Sequence, residues 1–366
     1  MADPLPITIL TSTSEVLRQT AVSALLCDVP RLVVLQHDLD TRRGDEPLRR
    51  VVYDLEGVVE SGSVPLEHAC LSCALREDVV PALVRLALRG RWERAILALP
   101  VTAEPGLVLD ALTVGVVAGR PVSSVIRPGG VVATVDLTSV VADLFGDDLL
   151  IERGMAMTSD DRRAVGEVLA HQIECADVVA TSGRPVPGDR EAAVLRHLAP
   201  ASSMVGDVHE LDWIEALRHA GQAQGPARGD YRRAVLPPAT EEHGVWTVDL
   251  TSWRPVHPAR LHDRIVELAG GRQRSRGWFW LPTRPHAVCG WDNAGGQLSI
   301  GTVGRWSSTP RHTRIVVTGI DDSRARLREV FEGVLMTDSE LARGLAHWED
   351  RDDGFSPWLG EIDEAA

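Results

Sequence analysis

Short, unbroken apolar runs alternate with helically spaced stretches from the start of the chain to about residue 210. Pro6-Ile7-Thr8-Ile9-Leu10 is the first run, and Val16, Leu17, Val22, Leu25 and Leu26 follow it at helical spacing. Arg31 to Leu35, Ala95 to Leu99, Gly130 to Asp136 and Ala176 to Ala180 repeat the apolar run. Strands apolar on both faces, separated by helices, predict a parallel sheet covered on each side, because only such a sheet hides both rows of side chains. Residues 1–210 therefore read as a doubly wound α/β domain.

The rhythm changes after that. Residues 211–244 include Gln222 to Asp230 and Pro237 to Glu242, which are polar, rich in Pro and Gly, and aperiodic, as a linker would be. Val245 to Leu250 reads as a strand and His257 to Ala269 as an amphipathic helix. Trp278 to Leu281, Ala287 to Trp291, Leu298 to Gly301 and Arg314 to Val317 read as strands, and Ser323 to Leu335 as a closing helix. A small α+β domain over 245–348 follows. The tail, 349–366, is acidic apart from Phe355, Trp358 and Leu359, and is expected to be loosely held.

Charge narrows the choice of partners. The chain has 366 residues and a net charge of -14, and it contains no lysine, so its basic side chains are all arginine or histidine. Such a surface repels phosphate backbones and anionic membranes, so direct nucleic-acid or membrane binding is not expected. A basic protein partner is. No window approaches the ~18–20 apolar residues of a spanning helix, and Met1-Ala2-Asp3-Pro4 lacks the basic region of a signal peptide. The five cysteines are odd in number and scattered, which suits reduced thiols and a cytoplasmic location.

The most distinctive chemistry lies in Cys70-Leu71-Ser72-Cys73-Ala74-Leu75-Arg76-Glu77-Asp78. Two thiols beside a helix N-terminus gain thiolate character, which serves zinc binding and redox exchange alike. Tetrahedral zinc needs four ligands, or three and water, and His68 and Glu67 are at hand. The alternative is a pair of inert structural cysteines. Pro81 fits a helix here if that helix begins near Asp78. Cys27, Cys175 and Cys289 sit in apolar contexts and are expected to be buried. Trp278, Phe279 and Trp280 read as core. His257 and His262 read as capping or solvated, and Arg272, Arg274 and Arg276 as a solvated turn, with RNA or acidic-partner contact the minor reading.

With these residues in hand the chain resembles the CobW family, also called P47K, of P-loop GTPases and metallochaperones. The resemblance spans nearly the whole chain. Asp249 to Leu261, Arg274 to Leu281, Gly304-Arg305-Trp306 and Thr337 to Glu340 match successive parts of the family's C-terminal domain. It implies a sheet of the P-loop nucleoside-triphosphatase type in residues 1–210. The family's phosphate loop is Gly-Phe-Leu-Gly-Ala-Gly-Lys-Thr-Thr, and here the aligned residues are Ser12 to Thr20. Its glycines are gone, Arg18 stands for the Lys, Gln19 for the Mg²⁺-binding hydroxyl, and Glu15 adds a carboxylate. A phosphate loop needs glycine so that successive N–H groups can curl round the anion. GTP and Mg²⁺ are therefore not expected at Ser12, Glu15, Arg18, Gln19 and Thr20. The guanine-reading Asn-Lys-x-Asp is replaced by Thr181-Ser182-Gly183-Arg184, and an acidic Glu-Thr-Thr-Gly by Ala98-Leu99-Pro100-Val101.

The family's metal loop, Gly-Cys-x-Cys-Cys before Leu-Arg-x-Asp, is matched by Ala69 to Asp78 with Ala69 for Gly and Ser72 for the middle Cys. The resemblance thus implies zinc at Cys70 and Cys73, with His68 a further candidate. It is nearest to an actinobacterial branch that recruits a ribosome hibernation factor and shares the Cys-x-Ser-Cys. Three functions follow: an adaptor without GTPase activity that brings a hibernation factor, or another basic ribosome-associated protein, to the ribosome under zinc limitation; a GTP-dependent zinc metallochaperone; and a redox-responsive regulator using Cys70 and Cys73. The lost phosphate loop favours the first.

Overall fold

β1 (Leu5–Ser12) lies in the middle of an eight-stranded sheet and is paired in parallel with a neighbour on each side. In chain order the other strands of this sheet are β2 (Leu32–Leu39), β3 (Leu48–Asp54), β4 (Gly57–Val64), β5 (Arg94–Ala98), β8 (Ile126–Val135), β9 (Val178–Thr181) and β10 (Met204–Asp207). A two-residue pair, β6 (Val116–Val117) and β7 (Arg120–Pro121), stands apart. The spatial order is β10-β9-β8-β1-β5-β2-β3-β4. The helices are α1 (Glu15–Asp28), α2 (Leu71–Ala74), α3 (Val80–Leu88), α4 (Pro105–Val114), α5 (Val140–Phe145), α6 (Val165–Cys175), α7 (Arg190–Leu198) and α8 (Trp213–Gln222). This computed structural model describes residues 3–39, 48–64, 71–117, 119–158, 160–222, 234–307, 310–349 and 351–362. It divides into two units, 1–143 with 148–229, and 144–147 with 230–366.

Alternation along β1 explains the double covering. Ile7 and Ile9 pack with Leu83 and Leu86 of α3 and Val108 and Leu112 of α4, while Leu10 packs with Val22 and Leu25 of α1 and Trp213 and Leu217 of α8. The apolar runs of the sequence are the strands buried on both faces. The sheet is nevertheless mixed, because β3 and β4 form an antiparallel extension at one edge. Their mixture of charged and apolar residues, as in Arg49-Arg50-Val51-Val52, gives no continuous apolar run to read.

α8 falls within residues 211–244, where a linker was expected. It belongs to the first unit, and Gly130 is what lets it lie down on β8. A Cβ at Gly130 would come within 2.5 Å of the Ala220 carbonyl oxygen, and the residue's φ of 104° is itself one that glycine tolerates.

The second unit carries a six-stranded sheet, β11 (Glu241–Glu242), β12 (Val245–Ser252), β13 (Gln273–Phe279), β14 (Ala287–Ala294), β15 (Gln297–Arg305) and β16 (Thr313–Gly319), ordered β11-β12-β16-β13-β14-β15 and antiparallel throughout. α9 (Pro258–Ala269) and α10 (Arg324–Val334) pack with Phe279, Trp291 and Val317 in its core. α11 (Asp338–Leu341) and α12 (Ser356–Leu359) follow. Three expectations change here. Arg274 is buried, paired with Asp292 and bonded to the Ser275 and Asn293 carbonyls, so it is an internal brace rather than part of a solvated turn. Cys27 is exposed near the end of α1, although Cys175 and Cys289 are buried, the latter with its thiol pushed up to about 12 by burial.

The tail is the third. Instead of lying loose, it is pinned by Asp353, whose carboxylate receives Arg284 Nε at 2.8 Å and Thr283 Oγ1 at 2.8 Å. Arg284 also donates to the Gly360 carbonyl at 2.7 Å and to Ser356 Oγ at 3.3 Å, and Phe355 and Leu359 enter the core. An acidic segment reads as solvated from composition alone. Its buried partner is 69 positions away in sequence. Among the described residues no helix is long and apolar enough to cross a membrane.

Candidate functional site

In the first unit, parallel pairing gathers the ends of β1, β2, β5, β8 and β9 along one edge of the sheet, where Ser12, Asp38, Leu99, Asp136 and Ser182 stand. Ligands of open α/β sheets bind at such an edge, where the strand order reverses. β1 is the strand at that reversal, so the turn from Ser12 into α1 is where a phosphate would be held.

That turn is short and already satisfied. β1 ends at Ser12 and α1 begins at Glu15, capped by Ser14, whose hydroxyl accepts from the Leu17 amide at 3.3 Å. The Arg18 amide is bonded to the Ser14 carbonyl, and the Ser14 amide to Ser12 Oγ. Ser12 Oγ donates to the Ser14 carbonyl at 2.7 Å and accepts from Thr134 Oγ1 at 2.6 Å. Without glycines the segment aligned with the phosphate loop has become the first turn of the helix, with Glu15 as its first residue. A capped N-terminus carrying a carboxylate is the reverse of an anion site.

Arg18 points inward and is 1% exposed. Its Nη1 donates to Asp38 Oδ1 at 2.6 Å and to the Leu99 carbonyl at 2.8 Å, while its Nε has no partner. Gln36 Nε2 supports the other Asp38 oxygen at 2.8 Å. Gln19 follows on α1 beside Tyr53, and the Thr20 hydroxyl bonds back to the Val16 carbonyl. The guanidinium that replaces the phosphate-binding lysine is thus spent on this domain's own interior. Gln172 of α6 closes the same region by donating to the Ser12 and Ala103 carbonyls.

Next to it lies a cluster with no signal in the sequence pattern. Glu104 accepts from Arg163 Nη1 at 2.7 Å and meets His171 Nδ1 at 2.7 Å. Burial opposes its ionisation, but the His171 and Arg163 contacts outweigh burial and hold its carboxyl below the usual range. At the far edge Arg184 turns outward to Glu210, at 2.6 and 3.0 Å, rather than across the strand ends.

Cys73 is half-buried in α2, while Cys70, His68 and Glu67 lie outside the described residues. The helical run starts at Leu71, earlier than Pro81 seemed to allow, and Leu75–Val79 is a π-turn in which the Val80 amide reaches the Leu75 carbonyl. That widened turn leads directly into α3, where Pro81 has no N–H to give and its ring needs room. Asp78, on the π-turn, bonds His37 Nε2 of β2 at 3.0 Å and pairs with Arg50 of β3. Burial works against the Asp78 charge, and the His37 and Arg50 bonds overcome it, so its pKa is lowered. Burial lowers the His37 pKa too, leaving a neutral imidazole that donates from Nε2. Glu60 of β4 adds Arg50, Arg85 and Arg89. The helix carrying Cys73 is therefore strapped to three successive strands. Among the described residues no group of three His, Cys, Asp or Glu side chains converges as a metal cage.

A mixed eight-stranded α/β sheet whose first helix is capped at Ser14, a helical cysteine segment braced to that sheet, and a six-stranded antiparallel sheet with helices are what the geometry defines. The family profile described as the cobalamin synthesis protein cobW C-terminal domain matches residues 245–335. Residues 245–335 are therefore a CobW C-terminal domain, and the relatives point to the same family. It is 28% identical to a Mycobacterium tuberculosis protein named zinc chaperone Rv0106, over 89% of this chain and 87% of that one. It is 21% identical to zinc-regulated GTPase metalloprotein activator 1 of Dictyostelium discoideum, over 69% of this chain and 55% of that protein. The Zn(II)-bound YjiA GTPase of E. coli aligns over 92% of this chain and 100% of its own, with 14% identity and a TM-score of 0.39.

Proposed function

We propose that this chain serves zinc homeostasis as an adaptor that works without GTP. The observation that carries the reading is the start of α1 at Glu15, with Arg18 drawn inward to Asp38 and Leu99. Removing that arrangement to admit Mg²⁺·GTP means unwinding a helical turn and drawing a buried arginine away from its carboxylate, and no glycine or lysine is present to repay it. Zinc enters through the names of the relatives and through Cys73, which with Cys70 and His68 makes the ligand set we assign; thiolate and imidazole donors suit zinc. Zinc here is the cargo or signal.

The partner we assign is a basic, ribosome-associated protein, a hibernation factor being the foremost candidate. The net charge of -14 supports a basic partner over bare RNA. The second reading is the GTP-dependent zinc metallochaperone, favoured by the printed names of the relatives. A tagged chain recovered from zinc-starved cells separates the two by mass spectrometry of what comes with it. Basic ribosome-associated proteins are expected. Recovery confined to zinc-dependent enzymes, increased by added GTP, would overturn the adaptor.

A further inference from the structure

The second domain offers a docking groove that neither nucleotide nor zinc chemistry uses. α9 buries Leu261 and Leu268 but leaves Val266 79% exposed, on the face that also carries His262 and Ala269. Between this face and Leu298 and Ile300 of β15 is an open cavity of about 390 Å³, lined also by Phe355 and Trp358. In soluble proteins a contiguous apolar hollow of this kind marks a binding surface more often than a lone exposed side chain does.

Trp358 is held out on purpose-built support. Its neighbours Phe355 and Leu359 are 1% and 4% exposed, and the Arg284–Asp353 pair fixes the segment that carries them, yet the Trp358 indole remains 54% exposed. An aromatic ring immobilised before binding loses little entropy when a partner covers it, which is the usual character of an interface anchor. The charges around the groove choose the occupant. Asp263 on α9 is exposed, and Asp352 and Glu361, also exposed, flank the Phe355–Leu359 segment in sequence, while Arg264 is tied to Glu267 and the exposed Arg351 leans to His347. These carboxylates on a chain of charge -14 repel an anionic lipid surface and a second copy of the chain.

We propose that this groove docks a basic, amphipathic peptide segment of a partner protein. Its apolar side chain enters between Val266 and Trp358, and its Lys or Arg residues face Asp263, Asp352 and Glu361. The site stands whether or not the chain binds GTP or zinc. It bears on the adaptor reading only by giving a partner somewhere to sit.

The test is fluorescence anisotropy of a labelled synthetic peptide of alternating Lys and Leu with one central Phe, titrated with the full chain. Trp358→Ala and Val266→Asp should each weaken binding by about tenfold, and the peptide with every Lys changed to Glu should not bind. Val266→Asp adds negative charge, so attraction by net charge alone would tighten binding of the basic peptide. Val114→Asp, at an exposed valine of the first domain that does not line the groove, adds the same charge and should leave binding unchanged. Unaltered or tighter binding to Val266→Asp together with unaltered binding to Trp358→Ala would overturn the proposal. So would self-association of the chain that Trp358→Ala abolishes, since that assigns the groove to a second copy. Both side chains are exposed, so matched thermal melts confirm that the variants fold.

Discussion

Arg284 in the second domain and Arg18 in the first are each buried against a carboxylate, and the two are finished to different degrees. Arg284 and Asp353 are both fully buried, and Arg284 spends its Nε, Nη1 and Nη2 on Asp353, Ser356 and the Leu359 and Gly360 carbonyls. Arg18 is as deeply buried, but its partner Asp38 is 38% exposed and its Nε has no partner. The first is a clamp built for stability, tying a tail to a core. The second lies at the turn that the sequence aligns with the family's nucleotide loop, and it is satisfied only in part.

The comparison breaks most easily at Arg284. Asp353→Ala leaves a buried guanidinium without its counter-charge and should cost about 3–5 kcal/mol, read from urea unfolding followed at the second domain. It should also release Trp358 to limited proteolysis. Arg18→Met should cost much less, about 1 kcal/mol or nothing, because Asp38 regains water once the guanidinium is gone. Equal losses would erase the distinction between clamp and remnant.

Acid should separate the same groups. Burial opposes the Asp353 charge, but the Arg284, Phe355-amide and Thr283 bonds lower its pKa, as the contacts of Asp78 and Glu104 lower theirs. A carboxylate depressed in the folded state contributes stability above its unfolded value, about 4, and loses that contribution as pH falls through the folded one. Stability should hold above that value and decline below it, and Asp353→Asn should flatten the decline. The same slope in wild type and variant would remove Asp353 from the account.

A separate effect concerns metal. Cys73→Ser should weaken zinc uptake, in competition with a chromogenic chelator, by more than the roughly tenfold typical of losing an outer-shell group. Cys27→Ser, at an exposed thiol on α1, should leave it unchanged. Equal losses at both would point to unspecific thiol binding.

Much of this was legible in the sequence. The apolar runs gave the buried strands, and the strands and helices of residues 245–335 fell close to where periodicity placed them, except β13, which was read at Trp278–Leu281 and instead spans Gln273–Phe279, through the stretch read as a solvated turn. The absence of glycine from Ser12 to Leu17 agrees with a helix that begins at Glu15. What escaped was long-range pairing. Asp353 looks like solvated acid until Arg284 is seen against it, Arg274 looks like a surface cation until Asp292 is, and Glu104 shows nothing until α6 brings His171. The π-turn at Leu75–Val79 was hidden too, since Pro81 signals a helix start and not a widened turn before it.

The central claim is that the turn from β1 into α1 no longer accepts a nucleotide. Calorimetric titration of the full chain with Mg²⁺·GTP tests it most directly, in wild type and in the Arg18→Lys, Gln19→Thr double variant. Neither should bind in the micromolar range, about -8 kcal/mol, because restoring the Lys-Thr pair does not restore the glycines whose absence lets α1 begin at Glu15. Micromolar affinity in the wild-type chain would contradict the account.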